Sequence, residues 1–217
     1  YISVRATDGA TNVSNIATSD GITLDAVQPN IFDIIEGSTS ADLDYQQDAS
    51  SLQISWSGSD AIRSSSRNGR DLSYFSVSLG TDAGDSNVVD WVNTGSATIF
   101  TFTNLEMQES VTYYANVRAV DLAGNQSQVF TGDGITIDQT GPTPGSLFDG
   151  DSIDVDWVSV NFLSVGNWMG FSDDLSGIAE YQYSIGLNPG ETQVVSWTSA
   201  NLDSTITVSA SLSEGPT

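Results

Sequence analysis

The 217 residues carry 28 Asp and Glu against five basic side chains, every one of them Arg, for a net charge of −23, and they include neither His nor Cys. So negative a surface repels the phosphates of nucleic acid, and a chain without Cys makes no disulfide and no thiolate metal site. Without His, Lys and Cys the usual general bases and activated nucleophiles are missing, and Asp is spread over turns where it bonds to local backbone amides, so the chain is read as no enzyme.

In chain order, Tyr1–Ala6 alternates Ile2, Val4 and Ala6 against Ser3 and Arg5, the period of a half-buried strand. Residues 8–12 read as a turn and Gly21–Asp25 as the next strand, so 1–28 are expected to be the last two strands of a preceding repeat, with Pro29 at the boundary. Residues 29–140 are expected to form one complete repeat. There Leu52, Ile54 and Trp56 share a face, as do Phe75, Val77 and Leu79, with a polar, Arg-bearing loop between them. Val88–Trp91 is a short strand, and Phe100, Phe102 and Leu105 follow with a strand's period. Tyr113, Ala115, Val117 and Ala119 form the inward face of a sixth strand, and Ile135 and Ile137 supply a seventh. No window offers helical spacing over more than a turn. The expectation is all-β: tandem seven-stranded antiparallel sandwiches, the segment 141–217 contributing the first five strands of a following repeat.

Repetition supports the division. Tyr114 to Gly150 lies over Tyr1 to Gly37 without a gap, with Tyr, Val, Arg, Ala, Asp, Asn, Ser, Asp-Gly-Ile-Thr, Asp and Pro recurring in step. Val194–Trp197 falls over Val88–Trp91 at a shorter offset, most of the loss lying where the Arg-bearing loop stood. Such a period marks tandem domains. No apolar run reaches the length of a membrane span, so no membrane insertion is expected in this segment. Tyr1 opens no signal peptide, and the chain reads as a window from a longer polypeptide.

Leu52-Gln53-Ile54-Ser55-Trp56, the Tyr113-Tyr114-x-x-Val117-Arg118-Ala119 strand and the Asp121-x-Ala123-Gly124-Asn125 turn resemble a fibronectin type III domain. More narrowly they resemble the Ig-like versions strung together in giant secreted or surface adhesin-type proteins of bacteria. In those, a strand like Trp168–Asp173 leads through Ser176-Gly177-Ile178 to Tyr181-x-Tyr183-Ser184-Ile185-Gly186. Low Lys and high Asp suit seawater and marine Bacteroidota. The resemblance implies a structural and adhesive stalk at the extracellular face of a bacterial cell, serving attachment in gliding, prey capture or adhesion. Its partners would be neighbouring repeats of the same polypeptide and a glycan or other cell-surface ligand. Two alternatives stay open: a carbohydrate-binding accessory region of a secreted hydrolase, and a laterally self-assembling filament subunit forming homo-oligomers. The module is a scaffold reused for many purposes, so the resemblance bears on fold more than on function.

Two features differ between copies. Asp149, Asp151, Asp154 and Asp156 put four carboxylates into eight positions, and alternate residues of an extended strand lie about 6.6 Å apart on one side, within reach of a shared Ca2+. Asp133, Asp138, Asp173 and Asp174 could add to it should the linker fold back, while solvated acidic turns are the plain alternative. In the middle repeat Ser-Thr-Ser-Ala separates Glu36-Gly37 from Asp42, so no such cluster is expected there. Arg63, Arg67 and Arg70 are the only basic concentration, a candidate contact for an acidic neighbour or an anionic glycan, or else a solvated loop. Trp56, Trp91, Trp168 and Trp197 recur at matching positions, which favours core or semi-core packing over sugar platforms. Asn12 and Asn125 satisfy the N-glycosylation pattern but fall in structural turns.

Overall fold

In the computed structural model, residues 1–38, 40–60, 72–150, 154–156, 162–163, 166–208 and 210–211 are described. Among them there is no helix, and so none long and apolar enough to cross a membrane. The chain divides into two compact units, Tyr1–Thr136 and Ile137–Thr217.

The first unit opens with a hairpin, β1 (Ser3–Val4) against β2 (Ala17–Thr18). Here the expected second strand is displaced: pairing falls on Ala17–Thr18, and Ile22 and Leu24 are left exposed. The reason lies in register. Ile135 and Thr136, the counterparts of Ile22 and Thr23, pair with Tyr113 and Thr112, whereas no described strand pairs with Ile22 or Thr23.

The sandwich itself is built from β3 (Asn30–Glu36), β4 (Tyr45–Gln46), β5 (Ser51–Ser59), β6 (Leu72–Gly80), β7 (Val89–Gly95), β8 (Ile99–Thr103), β9 (Thr112–Asp121), β10 (Phe130–Thr131) and β11 (Ile135–Ile137). Three strands, in the order β3-β5-β8, form one sheet; β4-β11-β9-β6-β7 form the other, with β10 also on β9. All registered pairs are antiparallel. β5, β6, β7, β8, β9 and β11 fall where the sequence marks strands, while β3, β4 and β10 are not marked there by residue.

Alternation places the core. Leu52, Ile54, Trp56 and Phe102 from the first sheet meet Phe75, Val77, Leu79, Tyr113, Ala115, Val117, Ala119 and Ile135 from the second, all buried. Each large side chain so buried contributes about 1.5–3 kcal/mol. Trp56 packs edge-on against Phe75, ring centroids 5.8 Å apart. At the corner before β9, the Tyr113 hydroxyl accepts the Gln108 backbone N–H at 2.8 Å. This tyrosine corner, a Tyr near the start of the sixth strand bonded to the backbone a few residues upstream, is a hallmark of Ig-like sandwiches.

The second unit comprises β12 (Ser146–Phe148), β13 (Phe162–Leu163), β14 (Gly166–Met169), β15 (Tyr181–Ile185), β16 (Val195–Asn201), β17 (Thr205–Ile206) and β18 (Ala210–Ser211). The order β12-β14-β17 repeats β3-β5-β8, and β15-β16 repeats β6-β7. The details repeat as well. Trp168 meets Tyr181 edge-on at 5.5 Å, as Trp56 meets Phe75.

Candidate metal centre

The chain changes sheets between β3 and β4: Glu36 ends a strand of the first sheet, and Tyr45–Gln46 join the second beside β11. Gly37 makes the turn with φ 106°, a conformation costly for any residue with a Cβ, and a Cβ there would also come within 2.5 Å of Leu43 Cδ1. The crossover is pinned by backbone bonds: Gly37 N–H to Gln53 O at 2.9 Å, Leu43 N–H to Glu36 O at 3.0 Å and Thr136 N–H to Asp44 O at 2.8 Å. Asp42 is thereby returned to the end of β3, where its Oδ1 accepts the Glu36 backbone N–H at 2.6 Å. Asp133, in the turn leading into β11, arrives from the other sheet.

As a result, one carboxylate oxygen from each of Glu36, Asp42 and Asp133 lies within 4.8 Å of the other two. Asp42 and Asp133 are exposed, whereas Glu36 is 0% exposed and neither of its carboxylate oxygens makes a well-formed hydrogen bond. Burial, then the negative charge and adjoining carboxyl of Asp42, then the charge of Asp133, push the Glu36 pKa up to about 8, against a smaller lowering by the nearby Gly134 backbone N–H, which is too poorly placed to make a well-formed bond. Asp133 is raised as well, by partial desolvation and by Asp42. A Cβ on Gly132 would fall on Glu36 Oε1, so glycine keeps the space in which that carboxylate sits.

The expectation that the middle repeat lacks an acidic cluster is therefore overturned: the turn at Gly37 cancels the sequence separation of Glu36 and Asp42, and Asp133 comes from almost a hundred residues away. One signal was available. Glu36 occupies the repeat position of Asp149. There the same capping recurs, with the Asp149 N–H donating to Asp154 Oδ1 at 3.2 Å. Asp156 is exposed nearby in sequence. Asp151 lies outside the described residues, as do Arg63, Arg67 and Arg70.

A second convergence, also within 4.8 Å, joins Asp25, Asp60 and Asp121. Turn chemistry uses oxygens of Asp25 and Asp121. Asp121 accepts the Asn125 N–H on Oδ1 and the Asn125 Nδ2 on Oδ2, both at 2.8 Å, just as Asp8 accepts Asn12 at 2.8 and 2.9 Å. Burial works to raise the Asp121 pKa, but the Asn125 side chain and the amides of Asn125, Gly124 and Ala123 outweigh it and hold the carboxyl below its usual value. Asp25 Oδ1 accepts the Val27 N–H at 3.0 Å. In the second unit Asp173 likewise caps its own turn, taking the amides of Leu175, Ser176 and Gly177, while Asp138 Oδ2 accepts the Ser176 N–H at 3.2 Å. The side chains of Asn12 and Asn125 are turn staples.

Trp56 and Trp168 are buried as their positions predict, and Trp91 is half-buried with the Arg118 guanidinium 4.0 Å from its ring centroid. Trp197 departs from that pattern at 60% exposure. Its strand β16 pairs with β15, and among the described residues of this unit no strand carries a counterpart of Arg118 over the ring.

No protein-family model matches the sequence, and no curated protein does. Among solved structures, the chain is similar to the crystal structure of the FN1-FN3 domains of chicken CNTN1. The TM-score is 0.38 and the identity 13%, over 97% of this chain and 67% of that one. The sandwich assignment rests on the strand order and the Tyr113 corner of this chain itself.

Proposed function

We propose that the chain is a run of structural repeats from the shaft of a large extracellular protein at a bacterial surface, holding an attachment region away from the cell. The observation that carries this reading is repetition at the level of construction. The strand orders and the Trp–aromatic pairs recur between units, and within the first unit the Asp-Asn turn staple of residues 8–12 recurs at 121–125. Gly80 and Gly186 each press against the carbonyl of a turn acid, Asp85 and Glu191. Arrays of this kind gain length from nearest-neighbour contacts without one large core, and the net charge of −23 discourages self-association at low ionic strength. With no His, Cys or Lys, the role is mechanical and adhesive rather than catalytic.

Stretching the full chain between handles tests this. The middle sandwich should unfold in one discrete event, releasing about 30 nm of contour, and the unstretched chain should be monomeric by light scattering. Gradual extension without a discrete event would contradict the reading; association reversed by high salt would favour the filament alternative. Among the described residues, Trp197, exposed on β16, favours a carbohydrate-binding role. Glycan retention abolished by Trp197→Ala would establish that reading.

A further inference from the structure

We propose that Glu36, Asp42 and Asp133 form a binding site for a hard divalent cation, calcium by donor type and spacing, which clamps the point where the chain crosses from one sheet to the other. The inference stands apart from the stalk reading and needs nothing from it.

Three observations lead to it. The first is spacing. Calcium takes six to eight oxygen ligands at about 2.3–2.6 Å, so two oxygens on one ion are separated by at most about 5 Å, and the three carboxylates fall within 4.8 Å of one another. The second is Glu36 itself. A fully buried carboxylate is normally paired or hydrogen-bonded; this one makes no well-formed hydrogen bond on either oxygen, and one of those oxygens lies within 4.8 Å of an oxygen from each of two further carboxylates. Three carboxylates at such distances repel one another, and a doubly charged cation at their centre removes the repulsion and supplies the missing partner together. The exposed sides of Asp42 and Asp133 leave room for water to complete the shell.

The third observation is positional. Glu36 ends β3 in the first sheet, Asp42 lies in the crossover, and Asp133 leads into β11 of the second sheet. One ion touching all three adds a link between β3, the crossover and the turn into β11, beside the backbone bonds already there. The space is kept open by Gly132, and the backbone cap from residue 42 onto residue 36 is formed again between Asp154 and Asp149. All three donors are oxygens, and the chain has no His or Cys to attract softer metals.

Equilibrium dialysis of the full chain against calcium chloride, with magnesium chloride as comparator, reads the site by stoichiometry. Because other acidic turns could also retain calcium, the decisive quantity is the difference between wild type and variants. Asp133→Asn alters an exposed side chain and leaves the fold in place; Glu36→Gln keeps the shape of the buried one. Each should bind one calcium fewer than wild type. In parallel, about 10 mM calcium should raise the wild-type melting temperature by about 5 °C or more, and that of Asp133→Asn by much less. Wild-type stoichiometry in Asp133→Asn overturns the proposal, as does failure of the wild type to retain calcium at millimolar concentration. In the latter case Glu36 is a neutral acid sharing its proton with Asp42.

Discussion

Glu36 donates its backbone N–H to the Asp42 carboxylate at 2.6 Å while its own carboxylate is sealed from solvent and makes no well-formed hydrogen bond. The main chain of Glu36 is thus satisfied by the same aspartate whose charge its side chain must tolerate. That opposition depends on the glycine beside it. Gly132→Ala would place a Cβ on Glu36 Oε1 and drive the carboxylate off its position. Calcium affinity is expected to fall at least tenfold, and the melting temperature in chelator to drop by a few degrees. Calorimetric titration against calcium and a thermal melt read the two effects separately.

Tyr113 offers a test of the sandwich itself. Its ring is buried and its hydroxyl accepts from Gln108, so Tyr113→Phe removes one hydrogen bond without changing shape. The expected loss is about 1–2 kcal/mol, read as a lower denaturation midpoint with an unchanged slope.

A larger loss is expected at Asn116, the buried polar residue that holds the β6–β7 turn against β9. Its Oδ1 accepts from the Gly84 N–H at 3.0 Å and from Thr131 Oγ1 at 2.7 Å, and its Nδ2 donates to Asp85 O at 2.7 Å. Asn116→Ala breaks these bonds, together with the longer ones from Nδ2 to Ser78 Oγ and Tyr114 O, and leaves a void, at about 2–4 kcal/mol. Urea denaturation followed by tryptophan fluorescence measures it.

Gly80 faces the same turn from the other side. A Cβ there would come 2.5 Å from the Asp85 carbonyl oxygen, a backbone atom with little freedom to move. Gly80→Ala should cost about 1–3 kcal/mol, and Gly186→Ala should act in the same direction on the second unit. Differential scanning calorimetry of the two variants compares them.

Acid sensitivity is expected at the turn before β5. Asp48 accepts from the Ser51 hydroxyl at 2.6 Å and from the Ser50 hydroxyl and N–H at 2.7 and 2.8 Å, and these bonds, Ser51 first, lower its pKa to about 2. A carboxyl whose folded pKa is depressed stabilises the fold above its ordinary value of 3.8 and loses that contribution as pH falls towards about 2. The stability difference between wild type and Asp48→Ala should therefore be flat above about pH 5 and shrink as the pH falls through that window. Unfolding midpoints across a pH series check it.

Much of the sandwich is legible in the sequence because burial on one face imposes a period of two. Leu52, Ile54 and Trp56, and again Tyr113, Ala115, Val117 and Ala119, declare both strand and inward face. β4 and β10 are only two residues each and hold their places through pairing with β11 and β9, so no period reveals them. Ile22 and Leu24 mislead for a related reason. Their pattern matches Ile135 and Ile137, but a strand also needs a partner in register, and within this chain Ile22 and Leu24 have none. The acidic centre was half legible: the position shared by Glu36 and Asp149 was visible, while the convergence of Asp42 and Asp133 depends on a left-handed turn at Gly37 and on two sheets meeting.

Amide hydrogen exchange at the crossover tests the clamp most directly. The bonds from Leu43 N–H to Glu36 O and from Thr136 N–H to Asp44 O span the segments the cation would join. Exchange at Leu43 and Thr136 should slow about tenfold or more on adding calcium, with no comparable change at Val117 in the core and no slowing at Leu43 or Thr136 in Asp133→Asn. Unchanged rates at both amides in wild type, or equal slowing in the variant, would contradict a cation held by Glu36, Asp42 and Asp133.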